Sequence, residues 1–434
     1  MLAAAPAPTL TAQQQAVVDF AVEGGAHLFL TGRAGTGKTT VTRAILRRLG
    51  GRAAVLAPTG VAAMNAGGQT LHSFFRLPPR LITPGDIRRV RNARAIQALS
   101  TLVIDEISMV RSDLMQAVDF SLRLNRDSNE PFGGVRLVLV GDLAQLPPIA
   151  RGEEAAFLEE TYGGPFFFHA PSFRDAGFTM VELSKVHRQA DPDFVEILNA
   201  VREGELTPDL SERLGERVTG RTGLEASATH VVLTATNEAA ARINQARLDG
   251  LLGEPRGFSG KVEGEFDPRL FPTEDPLILK AGARVMTIRN DPGGRYVNGS
   301  IGEVVGFTPD GVKVLVNGET VTVEKVSWER MRYAADAKTG ALKRETIGSY
   351  AQYPLRLAWA MTIHKSQGLT LDRVFLDVSR RLFAHGQAYV ALSRARTFEG
   401  LELSHAVRPT DIITDPRLFE VRSFCDPAPA ALDA

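Results

Sequence analysis

The stretch "GRAGTGKTT" (32–40) sets Gly32, Gly37, Lys38 and Thr39 in the order G-x-x-x-x-G-K-[ST]. Glycines let consecutive backbone N–H groups wrap a phosphate, and a helix N-terminus adds a favourable dipole. The cradle this pattern implies is the backbone of Gly32, Ala34, Gly35, Thr36, Gly37, Thr39 and Thr40. Lys38 would reach the β- and γ-phosphates and the Thr39 hydroxyl would ligate Mg²⁺, so ATP and Mg²⁺ are the expected ligands. Such a loop needs an acidic partner on a neighbouring strand. "STLVIDEISMV" (100–110) supplies one, with Asp105 for the Mg²⁺ shell and Glu106 to polarise the attacking water. A paired Asp-Glu can also be a solvated strand exit; its place after a phosphate loop, at the end of an apolar run, favours the chemical reading.

Two glutamines fit the same chemistry. "VRLVLVGDLAQLPPI" (135–149) ends a third apolar run in Gly141-Asp142 and then Gln145, whose amide can sense a γ-phosphate or orient water. In "LTAQQQAVV" (10–18), Gln14 precedes the first strand, where an amide could pair with an adenine edge; three adjacent glutamines leave that choice open. Far downstream, "TIHKSQGLT" (362–370) packs a histidine, a lysine, a serine and a glutamine between apolar runs, at the end of a predicted strand. Thr362, Ser366 and the Gly368 backbone can hydrogen-bond phosphate oxygens, while Lys365 supplies charge. Residues 76–94 carry six Arg and one Asp, beside Thr70, His72, Phe74 and Phe75. This is either a solvated face or a surface on which arginine neutralises phosphate and an aromatic offers a stacking face.

The elements that would position these groups alternate strand and helix. "HLFLT", "TLVI" and "RLVLV" read as buried parallel strands, each ending in one of the motifs above. The second half repeats the alternation in "HVVLTATNEAAARIN" (230–244), "DRVFLDVS" (372–379), "GQAYVALSRARTF" (386–398) and "LELSHAV" (401–407), without a second phosphate loop. A second α/β domain that lacks its own site can lend arginines across a cleft, and Arg188 and Arg394 are the candidates for such fingers. For each alone a structural ion pair is an equal alternative. Residues 279–353 differ in texture: short β-rich runs separated by "PGG", "NGS", "PDG" and "NGE" turns predict a small barrel of about five strands.

Composition narrows the classes further. With 434 residues, 44% of them apolar, the chain can build several cores. No apolar run approaches a membrane span, and the Pro-broken opening without a basic stretch predicts a short tail rather than a signal peptide. A cytoplasmic, nucleoid-associated protein with no membrane partner is expected. A single cysteine, Cys425, excludes disulfides and thiolate metal clusters built by this chain alone. Fifty basic residues balance fifty acidic ones, which argues against a protein that simply coats nucleic acid. Of the basic residues 41 are Arg and nine Lys, and Lys38 is the only lysine before position 185.

Taken in order, these segments resemble superfamily-one DNA helicases of the 5′→3′ group, and within them the petite-integration-frequency (Pif-one) family, with RecD as a cousin. "LTAQQQAVV", "GRAGTGKTT", "APTGVAAMNAGGQTLHSF", "VIDEISMV", "GDLAQLPPI", "LSKVHRQADPDFVEILNAVREG", "MTIHKSQGLT" and "AYVALSRAR" carry the resemblance, from about residue 10 to about 408. It implies two RecA-like P-loop NTPase domains in tandem within an α/β fold. The first would span 1–182, with a wedge insertion at about 74–98. The second would comprise 183–278 and 354–434, carrying an SH3-like barrel at 279–353. It also implies that "TIHKSQGLT" contacts single-stranded DNA through Thr362, His364, Lys365 and Ser366 while its Gly368 faces the nucleotide. The counterpart grip in the first domain would be Thr59 and Gly60, followed by His72 and Phe74, with Arg88, Arg89 and Arg91 near the duplex junction. His187 stands where the family often has an aromatic, so a changed packing contact is expected there. The implied activity is ATP-driven 5′→3′ translocation with unwinding of forked or structured DNA by a monomeric core. An RNA or mixed-substrate helicase, or a non-unwinding ATP switch acting on a protein partner, are the alternatives.

Overall fold

The computed structural model describes residues 9–90, 93–187, 189, 191–339, 341–379, 382–429 and 432. The first lobe is a parallel sheet of β1 (His27–Gly32), β2 (Ala53–Ala57), β3 (Gln69–Thr70), β4 (Thr101–Ile104), β5 (Arg136–Val140) and β6 (Phe178–Leu183). A short return strand, Cys425–Asp426, joins its edge, giving the order return strand, β6, β1, β5, β4, β2, β3. All the ladders are parallel. The central strands are buried along almost their whole length because helices cover both faces. One face packs helices α1 (Ala12–Glu23) and α2 (Lys38–Leu49) through Val17, Val18, Val41 and Ile45; the other packs Phe29, Leu102, Leu137 and a group of phenylalanines at 166–178.

Local chemistry starts several of the helices. Thr11 and Gln14 form a capping box at α1, and the hydroxyls of Thr59 and Thr70 accept N–H bonds that open α3 (Gly60–Ala66) and α4 (Leu71–Phe75). α2 starts at Lys38, and Gly37 before it has φ 86°, a left-handed turn that glycine adopts without a Cβ clash.

The second lobe is a four-stranded parallel sheet in which β7 (Val231–Thr234) lies between β18 (Ala360–Thr362) and β19 (Val374–Leu376), with β20 (Leu401–Leu403) outside β19. Between β7 and β18 the chain inserts ten strands: β8 (Arg256–Phe258), β9 (Lys261–Gly264), β10 (Leu277–Leu279), β11 (Arg284–Thr287), β12 (Ile301–Phe307), β13 (Val312–Val316), β14 (Glu319–Val323), β15 (Val326–Ala335), β16 (Leu342–Gln352) and β17 (Leu355–Leu357). Five of them form an antiparallel sheet in the order β14, β13, β12, β11, β17. The edges β14 and β17 pair with no further strand among the described residues, so hydrogen-bonded closure into the expected barrel is not seen there. The β-rich insert begins at Arg256, earlier than the 279 read from turn spacing, and the return strand places part of the C-terminal segment on the first lobe's sheet.

The long hairpin β15–β16 is a feature that the turn spacing did not suggest. It pairs with β9 and reaches back to the first lobe. There the Tyr333 hydroxyl accepts from Val55 N–H at 2.9 Å, Tyr333 N–H donates to Gln69 Oε1 at 3.2 Å, and Arg344 Nη1 donates to the Gly67 carbonyl at 2.7 Å. "PLRLAWAM", which reads as one buried strand, is divided: β17 closes the edge of the inserted sheet, and β18 belongs to the parallel sheet.

Candidate active site and nucleic-acid interface

The C-terminal ends of β1, β4 and β5 converge on a cleft of 480 Å³ between the lobes, the place where a switch in strand order leaves room for a ligand. Its first-lobe wall is Ala34, Gly35, Thr36, Gly37, Lys38 and Thr39, with Asp105, Glu106, Gly141 and Gln145; the facing wall is His187, Gly368, Thr370, Arg394 and Arg396. The phosphate loop, the acidic pair and the sensor glutamine expected from the sequence are therefore brought together. Thr370 and Arg396 join them without having been singled out, since neither sits in a spacing pattern of its own.

Within the loop, Lys38 Nζ donates to the carbonyls of Gly32 at 2.6 Å and Arg33 at 3.0 Å. Gln14 accepts from Thr11 N–H with Oε1 and donates from Nε2 to the Thr36 carbonyl at 3.1 Å. Its amide braces helix α1 against the phosphate loop, and a methyl on Gly37 would come within 2.5 Å of it. His187 is not packed into a core: it is exposed at the cleft, and its N–H donates to the Gly35 carbonyl at 2.9 Å.

Glu106 is the strained member of the acidic pair. It is in the left-handed region at φ 53° and ψ 46°, a conformation that costs a non-glycine residue and recurs at functional sites. Burial pushes its carboxyl up to about 7, and the neighbouring Asp105 adds to this against the opposing charges of Lys38 and Arg394. Burial also raises Asp105, although the Glu106 N–H donates to its Oδ1 at 3.0 Å. A carboxylate with an affinity for protons near neutrality suits a general base. Thr39 and Asp105 offer the hard oxygen donors that fit Mg²⁺.

A chain of side chains links this pair to the second lobe. Gln145 Nε2 donates to Asp142 Oδ2 at 3.1 Å, and Arg202, on the helix Pro192–Glu203, faces the buried Asp142 at 3.5 Å and pairs with Glu182 at 3.1 Å. Gln367 Nε2 donates to Glu106 Oε2 at 3.1 Å and to Gln145 Oε1 at 3.2 Å. The Tyr389 hydroxyl, on a buried side chain, accepts from the Ala34 N–H at 2.9 Å. Gln367 and Tyr389 were not foreseen as site residues: they sit inside motifs read for their neighbours, and only the packing of the lobes shows where they point.

Arg394 stands in the cleft wall at 1% exposure and is held by its own lobe: Nε donates to the Val390 carbonyl, Nη1 to the carbonyls of Ser366 and Leu369, and Nη2 to Ser393 Oγ. It braces the loop that carries Gln367 while its charge reaches Glu106. Phe74 is buried edge-to-face against Phe75 and Tyr333, so it gives the core a ring and offers no stacking platform. Ser366 is fully buried and its hydroxyl donates to the Ile363 carbonyl, which removes it from the phosphate-binding set in this arrangement. Thr362 is buried as well, its hydroxyl accepting from Lys365 N–H. Both hydroxyls shape the turn His364–Ser366, on which His364 and Lys365 are exposed.

On the first lobe, Thr59 caps α3 and Gly60 lies against Leu270 of the insert; a methyl on Gly60 would be 2.2 Å from Leu270 Cδ2. His72 is half-buried in α4, and burial together with Arg111 lowers its affinity for protons. The arginine-rich stretch is anchored at its ends by buried Phe75, Leu77, Ala95 and Ile96. Between them Ile82 N–H donates to Asp113 and Val90 N–H to Asn125. Arg88 and Arg89 are exposed, Arg89 paired with Asp127. Arg91 and Arg188 lie outside the described residues.

A phosphate loop at the mouth of a parallel sheet, carboxylates on the neighbouring strand and a second RecA-like lobe closing the cleft define a two-lobed P-loop NTPase. The profile of the PIF1-like helicases matches residues 9–211. Human ATP-dependent DNA helicase PIF1 is 36% identical over 95% of this chain, which spans 63% of the human protein's length. The ATP-dependent DNA helicase Pif1 of Bdellovibrio bacteriovorus is 34% identical, over 94% of this chain and 91% of its own. Among solved structures, Bacteroides Pif1 in complex with ADP-AlF4 superposes with a TM-score of 0.88 at 37% identity, covering 96% of this chain and 97% of that one. The same Bacteroides protein bound to ssDNA gives a TM-score of 0.69 over the same shares of both chains, at 38% identity. The chain belongs to the PIF1-like helicase family.

Proposed function

We propose that this chain is an ATP-driven DNA helicase that translocates 5′→3′ on single-stranded DNA and separates duplex ahead of it. The observation that carries this reading is the short segment 362–370. One turn of it exposes His364 and Lys365 to the surface, while Gln367 bonds to Glu106 and Gln145 of the cleft wall and Gly368 lines the cleft itself. A strand held at one side of this segment is thereby mechanically connected to ATP at the other. The structures of the Bacteroides relative with ADP-AlF4 and with ssDNA support both ligands.

In this reading the backbone N–H groups of 34–39 and Lys38 hold the phosphates of ATP. Glu106 accepts the proton of the attacking water, and Gln145 orients that water. Thr39 and Asp105 would hold Mg²⁺, which when bound neutralises charge on the phosphate oxygens. Thr59 and Gly60 on one lobe and the 364–366 turn on the other form two grips. Closure of the lobes over ATP shortens the distance between them, and reopening after hydrolysis lets one grip advance. A chain with no net charge is suited to repeated release of a polyanion.

The test is steady-state ATP hydrolysis by the whole chain with no nucleic acid, with single-stranded DNA and with single-stranded RNA, followed by strand separation on duplexes with a 5′ or a 3′ tail. Stimulation by DNA and unwinding from the 5′ tail are expected. Equal stimulation by RNA would move the reading to a mixed-substrate helicase. A rate indifferent to both would replace it with an ATP switch, and unwinding from the 3′ tail would reverse the direction.

A further inference from the structure

Gln367 occupies a position that the proposed chemistry does not require. It follows the turn His364–Ser366, on which His364 and Lys365 are exposed, and its own half-buried side chain reaches two residues of the cleft wall. That single amide donates to Glu106 Oε2 and to Gln145 Oε1, at 3.1 Å and 3.2 Å. The other end of the Gln145 amide donates to Asp142. The acceptor oxygen and one donor of the water-orienting residue are thus engaged, and one carboxylate oxygen of the base already accepts a hydrogen bond. A general base works only when the proton it takes is within hydrogen-bond reach of a free lone pair. The loop that presents Gln367 is itself held at both sides, through Arg394 Nη1 on the carbonyls of Ser366 and Leu369.

We propose that Gln367 is a positioning residue that restrains ATP turnover, holding Glu106 and Gln145 in an unproductive hydrogen-bonded set until a nucleic-acid strand seated on the 364–366 turn draws its amide out of the cleft. This rests on the function proposed above, and it adds the regulation of the same site: the strand releases a restraint, in addition to bringing the lobes together. Because Gln367 is the residue directly after the turn, a displacement of the turn of about 1 Å is enough to lengthen both bonds beyond hydrogen-bond range. A hydrogen bond to a charged acceptor is strong enough to bias a two-state equilibrium by about tenfold.

The test uses the whole chain with two substitutions, Gln367→Met, which keeps the side-chain volume and removes the donors, and Gln367→Ala. ATP hydrolysis is measured with and without saturating oligo(dT), alongside KM for ATP and thermal unfolding. The expected result is a rise of about five- to tenfold in the DNA-free turnover number, the scale of one lost charged hydrogen bond. The DNA-stimulated turnover number should stay within about twofold, so that the stimulation ratio falls by nearly the same factor, with KM and Tm unmoved. A proportional fall of both rates would overturn the inference and make Gln367 a participant in the chemistry. An unchanged ratio in both variants would overturn it as well. A wild-type chain whose hydrolysis ignores DNA would overturn the proposed function itself, an outcome distinct from a stimulated wild type beside variants with the same ratio.

Discussion

At Glu106 the demands of chemistry and of stability oppose one another, and the substitution Glu106→Gln separates them. The carboxyl is raised from 4.5 to about 7, first by burial and then by Asp105. At about 1.4 kcal/mol per tenfold change in proton affinity, ionising it in the fold costs about 3 kcal/mol more than in the unfolded chain. The cleft is open to water, so about 3 kcal/mol is the ceiling. The sign follows from proton counts. Between pH 4.5 and about 7 the folded chain keeps a proton that the unfolded chain has released, so stability falls as pH rises through that window, and above it the whole penalty is present. The amide introduced by Glu106→Gln exchanges no proton. The variant should therefore match the wild type near pH 4.5 and exceed it progressively, by up to about 3 kcal/mol at pH 8. Urea unfolding followed by far-UV circular dichroism at pH 5, 6, 7 and 8 measures the difference; Trp328 and Trp359 both lie outside the first lobe, so tryptophan emission would miss it. The same variant should bind ATP and lose turnover by about 10²–10⁴-fold, since an amide cannot take the water's proton. A stability difference that is the same at pH 5 and pH 8, or hydrolysis at the parent rate, would refute the reasoning.

Lys38→Ala should abolish hydrolysis and leave the circular dichroism spectrum unchanged, because the ammonium donates to carbonyls of the phosphate loop at the cleft rather than to the core; retained turnover would remove Lys38 from the site. Tyr333→Phe leaves the Val55 N–H without its acceptor and should weaken hairpin docking by about 1–3 kcal/mol. Faster amide exchange across 326–352 and tighter binding of single-stranded DNA are expected, the latter because the docked insert places Leu270 against Gly60; unchanged exchange would show that the hydroxyl does not hold the hairpin. Replacing Arg88 and Arg89 together by Ala should reduce the slope of log affinity against log salt by up to about 0.7 for each lost phosphate contact. A slope unaltered in the double variant would make the arginine run a solvated face.

The parallel sheet and its cleft were legible in the sequence because strands buried on both faces are short apolar runs, and the residues at their ends are the polar ones that a cleft needs. Asp105, Glu106 and Gln145 could be placed from that pattern alone. What escaped was set by contacts between segments far apart. Phe74 lies in an aromatic and arginine-rich stretch that resembles a nucleic-acid surface, yet the hairpin strand β15 covers its ring with Tyr333. The hairpin itself carries charged residues on its exposed face, as in "VSWERMRYAA" and "LKRETIGSYAQ", which dilutes the strand signal that the apolar strands β11 to β14 show. The enclosure of Arg394, for which a finger and a structural ion pair were equal readings, could not be read either: much of its environment is main-chain carbonyls, and no side-chain pattern announces those.

The position of the 364–366 turn follows from strand pairing. β18 lies beside β7 in register, Ala360 opposite Val232, Met361 opposite Leu233 and Thr362 opposite Thr234. Ile363 N–H then donates to the Thr234 carbonyl at 3.0 Å, continuing the ladder to the residue just before the turn. The strands on either side of this bond are separated in the chain by the entire insert, yet they are adjacent in space. The base of the turn is therefore tied to the parallel sheet of the second lobe, at the strand that resumes after the insert. Gln367 lies four residues beyond that bond, so the amide bonded to Glu106 and Gln145 is only two residues from the exposed Lys365. A contact at the surface of the turn is separated from the acidic pair by a single short segment of chain.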